Sequence, residues 1–134
     1  TETIEGETLV KLLAARHMPQ ASQAERSRRE AAIQLALRSA ADVPLEIIRL
    51  SALGLQHAKT VAASCNRAAG SELELAVALL RVALTGARSN LEARLTSLID
   101  VVYTKAVVEE IAHLNDEATT AARAAELLVQ RPPA

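Results

Sequence analysis

DVPLEIIRLSALGLQHAKTVAASCNRAAGSELELAVALLRVALTGARSN, Asp42 to Asn90, is the stretch whose reading decides the fold. It reads as two apolar helices joined by a short polar hinge, CNRAAGS. Asp42 and Pro44 announce the first, since Asp is a favoured N-cap and Pro fits a first turn, where its missing N–H costs nothing. Leu45, Ile48, Ala52, Leu55 and Ala62 recur at a period near 3.6 and predict its buried face. Gly70 is expected to stop this helix and Ser71 to cap the next, with Glu72 and Glu74 placing negative charge in the first turn. The run from Leu73 to Leu84 is then too apolar for a surface helix. A helix apolar nearly all round belongs at the centre of a bundle or in an oligomer interface.

Working outward, 134 residues are enough for one domain with a real core. At this size roughly two-thirds of the unfolded chain's surface is buried on folding. Hydrophobic residues make up 50% and aromatics only 1%, so the core must be built from Ala, Leu, Val and Ile. Few Gly and Pro, placed at expected helix ends, complete an all-α composition. The expectation is a single helical domain over 1–134, a bundle of about five helices that is homodimeric, with a central apolar helix.

Net charge is -1, so no global field draws nucleic acid or membrane. Nucleic-acid stacking platforms are missing, with no Trp, no Phe and one Tyr. Cys65 is the single cysteine, which excludes an internal disulfide and fits a reducing, cytoplasmic compartment. The longest apolar run contains Glu74, ends at Arg81 or just beyond, and is too short to span a bilayer. Thr1 at the start leaves three readings: trimming, upstream residues, or cleavage that exposes Thr1 as an N-terminal nucleophile. The last conflicts with the layered αββα fold of such enzymes, because almost nothing here reads as strand.

In chain order, 3–16 forms a short amphipathic helix with Ile4, Thr8, Leu9, Leu12, Leu13 and Ala15 on its apolar side. HMPQAS, His17 to Ser22, is a break. Ser22 and Glu25 have capping-box spacing and start a helix to about Ala41, with Glu25–Arg29 and Arg26–Glu30 pairs on a basic, solvated face. After the central pair, a break near Asp100 precedes a last helix from about Thr104 to Gln130, ended by Pro132 and Pro133. Ala106, Val107, Ile111, Leu114, Ala118, Ala121, Ala125 and Leu128 form its apolar side.

Chemical motifs are sparse. His17, His57 and His113 have no metal-binding spacing with Cys or another His, and read as helix-surface residues. Cys65 reads as an inert thiol beside the hinge. No Gly-rich phosphate loop, GxSxG or HExxH occurs. Asn90 lies inside a helix despite its poor propensity, which asks for a reason.

Two runs carry a family likeness: Ala32-Ile33-Gln34-Leu35-Ala36-Leu37 followed by Ala41-Asp42-Val43-Pro44-Leu45, and Cys65-Asn66-Arg67-Ala68-Ala69-Gly70-Ser71-Glu72-Leu73-Glu74-Leu75-Ala76. They resemble the AIQEAL-like helix, the T-(D/E)-V-P-L run and the G-N-x-N-x-x-S-D-x-G-x-A motif of cyclodeaminase domains and the related methenyltetrahydrofolate cyclohydrolases. Asn90 falls at the place of a further family Asn, and Glu5, Leu9, Met18-Pro19 and Glu25-Arg26 match upstream family positions. The chain departs from the pattern at Cys65, Ala68, Glu72 and Glu74, and an acidic residue that is Asp in the family is Glu5 here. The family's N-terminal helix with its P-G-G-G signature has no counterpart, about a third of a standard domain.

The resemblance implies an enzyme of one-carbon folate metabolism, a lyase or hydrolase at C–N bonds, with a tetrahydrofolate derivative as substrate and no metal. It implies Glu5 or Glu72 as proton shuttle and Asn66, Ser71 and Asn90 as substrate-positioning residues. It also implies a homo-oligomer, joined by an upstream fragment of the same protein if one persists. The alternative is a diverged member with another substrate, or a non-catalytic helical subunit or interaction module.

Overall fold

The structure is a computed structural model; it describes residues 2–131, with side chains over 5–131. Thr1, the Ile4 side chain, Pro132 and Pro133 lie outside the described residues. Among the described residues the chain is all α: α1 (Glu2–Arg16), α2 (Gln23–Ser64), a 3-10 turn (Arg67–Ala69), α3 (Gly70–Leu95) and α4 (Val101–Val129).

Four long helices replace the expected five, because α2 runs unbroken through Pro44. At 1.5 Å per residue it is about 63 Å long. Proline inside a helix has no N–H for the carbonyl four residues earlier, here Ala40. That carbonyl receives a donor from another element: Arg94 Nη1 on α3 hydrogen-bonds to Ala40 O. Pro44 is itself buried, so its ring is packed as an apolar group while a side chain replaces the lost main-chain bond. Asp42 therefore starts nothing; its carboxylate accepts from the Tyr103 hydroxyl at 3.3 Å.

The start of α2 follows the sequence. Glu25 N donates to Ser22 Oγ at 3.1 Å and Ser22 N donates to Glu25 Oε2 at 3.1 Å, a complete capping box. The expected charge pairs on this face are replaced by main-chain contacts. Glu25 is engaged in the cap, Arg29 Nε donates to Arg16 O at 3.1 Å, and Arg26 Nη1 donates to the Gln20 and Ala21 carbonyls. The α1–α2 turn leaves these carbonyls without helix donors, and nearby guanidinium groups satisfy them.

At the hinge, Ser64 ends α2, and Asn66 Oδ1 accepts from Ala69 N at 3.1 Å to cap the 3-10 turn. Gly70 does not stop a helix. It is the first residue of α3, with φ -61°, and α3 begins without a side-chain cap. Gly70 is buried because α4 comes close; a Cβ there would sit 3.2 Å from Val129 Cγ1. Ser71 is accordingly no cap, and its hydroxyl lies 3.4 Å from Glu72 Oε2. The break before α4 is at Asp100, which is that helix's N-cap through Tyr103 N at 3.0 Å.

Cross-helix contacts set the topology. Gly54 meets Leu80, and Arg94 reaches Ala40, so α3 runs antiparallel to α2. Asp42 meets Tyr103 and Arg49 meets Glu110, so α4 runs parallel to α2. Arg81 meets Glu126 across the antiparallel α3–α4 pair. α1 folds back along the first half of α2. Every other long helix packs on α2, so α2 and not the apolar α3 occupies the centre. The reason is composition around the helix. α2 buries Leu45, Ile48, Ser51, Ala52, Leu55, Ala58 and Ala62 against two neighbours, whereas α3 turns one face inward and leaves Leu75, Leu79 and Val82 at 61%, 61% and 70% exposure.

The core has two clusters. One joins Ala52, Leu55, Ala58 and Ala62 of α2 to Val77 and Leu84 of α3 and to Ala118, Ala121, Ala122 and Ala125 of α4. The other joins Ala41, Leu45 and Ile48 to Ala87, Leu91, Leu95, Val107 and Ile111. Alanine lets helices approach closely, as a composition with a single aromatic residue requires.

Candidate functional site

The residues singled out by sequence fall into two groups. Asn66, Ser71 and Glu72 gather at the hinge, all exposed, beside the C-terminal end of α4. Glu5 and Asn90 belong to the other end of α3. From Glu72 to Arg94, which contacts Glu5, is 22 residues of one helix, about 33 Å. Within one chain Glu5 and Glu72 are therefore alternatives and not a pair.

The Glu5 end is the better-built site. A pocket of about 210 Å³ is lined by Glu5, Thr8, Leu9 and Leu12 of α1, Leu37 and Ala40 of α2, and Arg94 of α3. Helical spacing brings Glu5, Thr8, Leu9 and Leu12 to one side of α1. The pocket is apolar apart from Thr8 and one charge pair, with Glu5 Oε1 3.7 Å from Arg94 Nη2. Asn90 precedes Arg94 by one turn on the same side of α3, exposed. Sequence reading missed Arg94. Its signal was indirect: a proline within an unbroken apolar pattern leaves a carbonyl that some donor must satisfy.

A second cluster also went unread. The Tyr103 hydroxyl donates to Asp42, Arg38 Cζ stands 4.1 Å from the centroid of the Tyr103 ring, and Arg38 Nη1 lies 3.9 Å from Asp100 Oδ2. Burial raises the phenol's pKa and the Asp42 charge raises it further, against Arg38. Asp42 borders a groove of about 500 Å³ with Glu7, Thr8, Lys11 and Glu46, so Thr8 lines both this groove and the Glu5 pocket. A larger groove of about 760 Å³ at the α1–α2 turn contains Arg26 and Arg29, but both already donate to carbonyls.

At the hinge, Cys65 is half-buried and its thiol lies 3.8 Å from Ala62 O. Among the described residues no helix is long and apolar enough to cross a membrane, and no group of three or more His, Cys, Asp or Glu is gathered for a metal ion.

Comparison with known proteins agrees with this architecture. No curated protein matches the sequence. The solved structure of formiminotetrahydrofolate cyclodeaminase from Thermotoga maritima superposes with a TM-score of 0.81 at 19% identity, covering 95% of this chain and 59% of that one. At that identity the match speaks for the fold, and the chain spans 59% of that relative's length. The family model for formiminotransferase-cyclodeaminase matches residues 7–113, from just after Glu5 to midway along α4. On a match over most of its length, the chain belongs to the formiminotransferase-cyclodeaminase family.

Proposed function

We propose that this chain acts in one-carbon folate chemistry, at a C–N bond of the one-carbon unit of a tetrahydrofolate. The observation that carries the reading is Glu5, a carboxylate reachable from solvent and paired with Arg94 in a pocket whose other walls, Thr8 apart, are apolar. Cyclodeamination needs little more from a protein. The folate N10 attacks the carbon of the protonated formimino group, N10 loses its proton, and the resulting NH2 must gain one proton to leave as ammonia. One carboxylate can take the first proton and return it to the second site. In the hydrolytic direction the same group activates water at the methenyl carbon. Glu5 takes this role, and Asn90 orients the ligand from α3. An extended ligand can run past Thr8 from the pocket into the neighbouring groove.

Glu72, with Asn66 and Ser71, is the alternative location for the shuttle. Both groups serve one substrate only if different copies of the chain supply them. Self-association has its own support in the exposed stripe Leu75, Leu79, Val82 and Gly86, spaced four, three and four residues as in a helix–helix seam. The same stripe favours the second reading, a non-catalytic helical subunit whose task is to pair.

Calorimetry with 5-formyl-tetrahydrofolate is the first test, followed by release of ammonia from 5-formimino-tetrahydrofolate. Micromolar binding with turnover that collapses in Glu5→Gln supports the assignment. Turnover that survives Glu5→Gln and falls in Glu72→Gln moves the site to the hinge. A chain that pairs but neither binds nor turns over reduced folate is the interaction module.

A further inference from the structure

We propose that Arg94 is the positioning residue for Glu5, anchored for that role by the carbonyl that Pro44 leaves without a helix donor. The inference rests on the reading of Glu5 as proton shuttle.

Arg94 is unlike the other paired arginines. The side chains of Arg38, Arg49, Arg81 and Arg88 are 45–52% exposed, whereas that of Arg94 is 29% exposed. It also lines the pocket directly. The guanidinium is a rigid planar fork, so fixing one nitrogen aims the other. Nη1 is fixed by Ala40 O, the acceptor that an ordinary residue at 44 would have filled from within α2. Nη2 then faces Glu5 at 3.7 Å. That distance is an ion pair and not a hydrogen bond. The carboxylate is thus held at the pocket by charge, and among the described residues neither oxygen accepts a hydrogen bond, which leaves them able to take and return a proton. In this arrangement the proline is a functional part: it vacates the carbonyl on which the arginine is mounted, and so ties α1, α2 and α3 together at one point.

The alternative is that Arg94 only patches α2. A variant cycle separates the two. Arg94→Ala in the native background loses both the patch and the aim, and lowers the melting temperature and turnover together. Pro44→Ala returns a main-chain N–H to Ala40 O, so in that background Arg94→Ala costs much less stability. Positioning predicts that turnover still falls, by about a hundredfold, carried by kcat more than KM. It also predicts that adding Arg94→Ala to Glu5→Gln causes no further loss, because Arg94 acts through Glu5. Recovery of turnover along with stability in Pro44→Ala/Arg94→Ala overturns the proposal, as does an undiminished effect of Arg94→Ala in the Glu5→Gln background.

A protein without folate turnover would sink the functional reading instead, and Arg94 then has a substrate-free readout. NMR of the guanidinium should show restrained, inequivalent Nη groups whose shifts move on Glu5→Gln. Freely rotating Nη groups, unaffected by that change, overturn the positioning role on their own.

Discussion

Tyr103 is the only aromatic residue, and it joins Asp42, Arg38 and Asp100 at the junction of α2 and α4. Its isolation makes it a clean optical probe. Burial, reinforced by the Asp42 charge, holds the phenol pKa above its ordinary value. A group with a raised folded pKa contributes stability in full below its unfolded value, about 10 for Tyr, and loses it as pH rises through the folded value. Ultraviolet titration should give a midpoint higher in the native protein than in urea, and Asp42→Asn should bring the two closer. The Arg49–Glu110 pair has the opposite sign. Arg49 donates to both Glu110 oxygens, at 2.6 and 2.9 Å, and that hydrogen bonding lowers the carboxyl pKa. Its stabilisation is present above the unfolded carboxyl value, about 4.3, and is lost as pH falls through the folded value. Because both groups are partly solvated, Glu110→Gln should cost no more than about 1 kcal/mol at neutral pH in urea unfolding, with the difference vanishing in acid. Apart from the Asp100 cap, none of these pairings is written in local sequence. Residues 42 and 103, or 49 and 110, are each 61 positions apart and meet only because α2 and α4 lie parallel.

At the scale of elements, capping was legible where it was local and misread where the chain had a tertiary option. Ser22 and Glu25 are three residues apart, and no other part of the molecule is needed to join them. Ser71 has the same chemistry, but the 3-10 turn capped by Asn66 feeds directly into α3 and leaves it no capping position. Ser22→Ala should therefore cost about 1 kcal/mol in thermal unfolding, and Ser71→Ala close to nothing. Pro44 taught the converse lesson. Proline costs about 3 kcal/mol in a helix interior relative to Ala, which is why it reads as a boundary. Burial of its ring and the Arg94 hydrogen bond offset that cost, and the two expected helices become one. The buried face itself, Leu45, Ile48, Ala52, Leu55 and Ala62, lies as its periodicity predicts, since both readings place those residues on the same side.

At the scale of the molecule, packing with a single aromatic residue relies on small residues along α2 and α4. Ala122 and Ala125 are fully buried, as are Ile48 and Leu91. Leu91→Ala should lower stability by about 2–5 kcal/mol through the cavity it leaves. Ala122→Leu should cost about 1–3 kcal/mol for the opposite reason, forcing α2 and α4 apart. Both are read from denaturant midpoints. The exposed stripe on α3 behaves differently. Leu79→Lys should leave the melting temperature of the monomer nearly unchanged, because the side chain is 61% exposed and belongs to neither core cluster, but should shift sedimentation toward the monomer if copies pair there.

By itself the sequence determined the class, the inward face of α2, most of that of α4 and the family likeness, because composition, a 3.6-residue period and short motifs are local properties of a chain. On α1 the expected inward residues Leu9 and Leu13 are exposed. The all-α fold, the capping box and the break at Asp100 all follow from residues within a turn or two of each other. Only the tertiary structure decided that α2 passes through Pro44, that α2 and not α3 is central, and that Glu5 is brought to Arg94 while Glu72 stands about 33 Å away along α3. Each of those outcomes depends on a group supplied from another helix: a guanidinium for an orphaned carbonyl, a second packing neighbour for α2, and a partner charge for Glu5. The physical reason is that a helix satisfies its own backbone, whereas a proline gap or a lone carboxylate is completed by whatever the fold brings alongside.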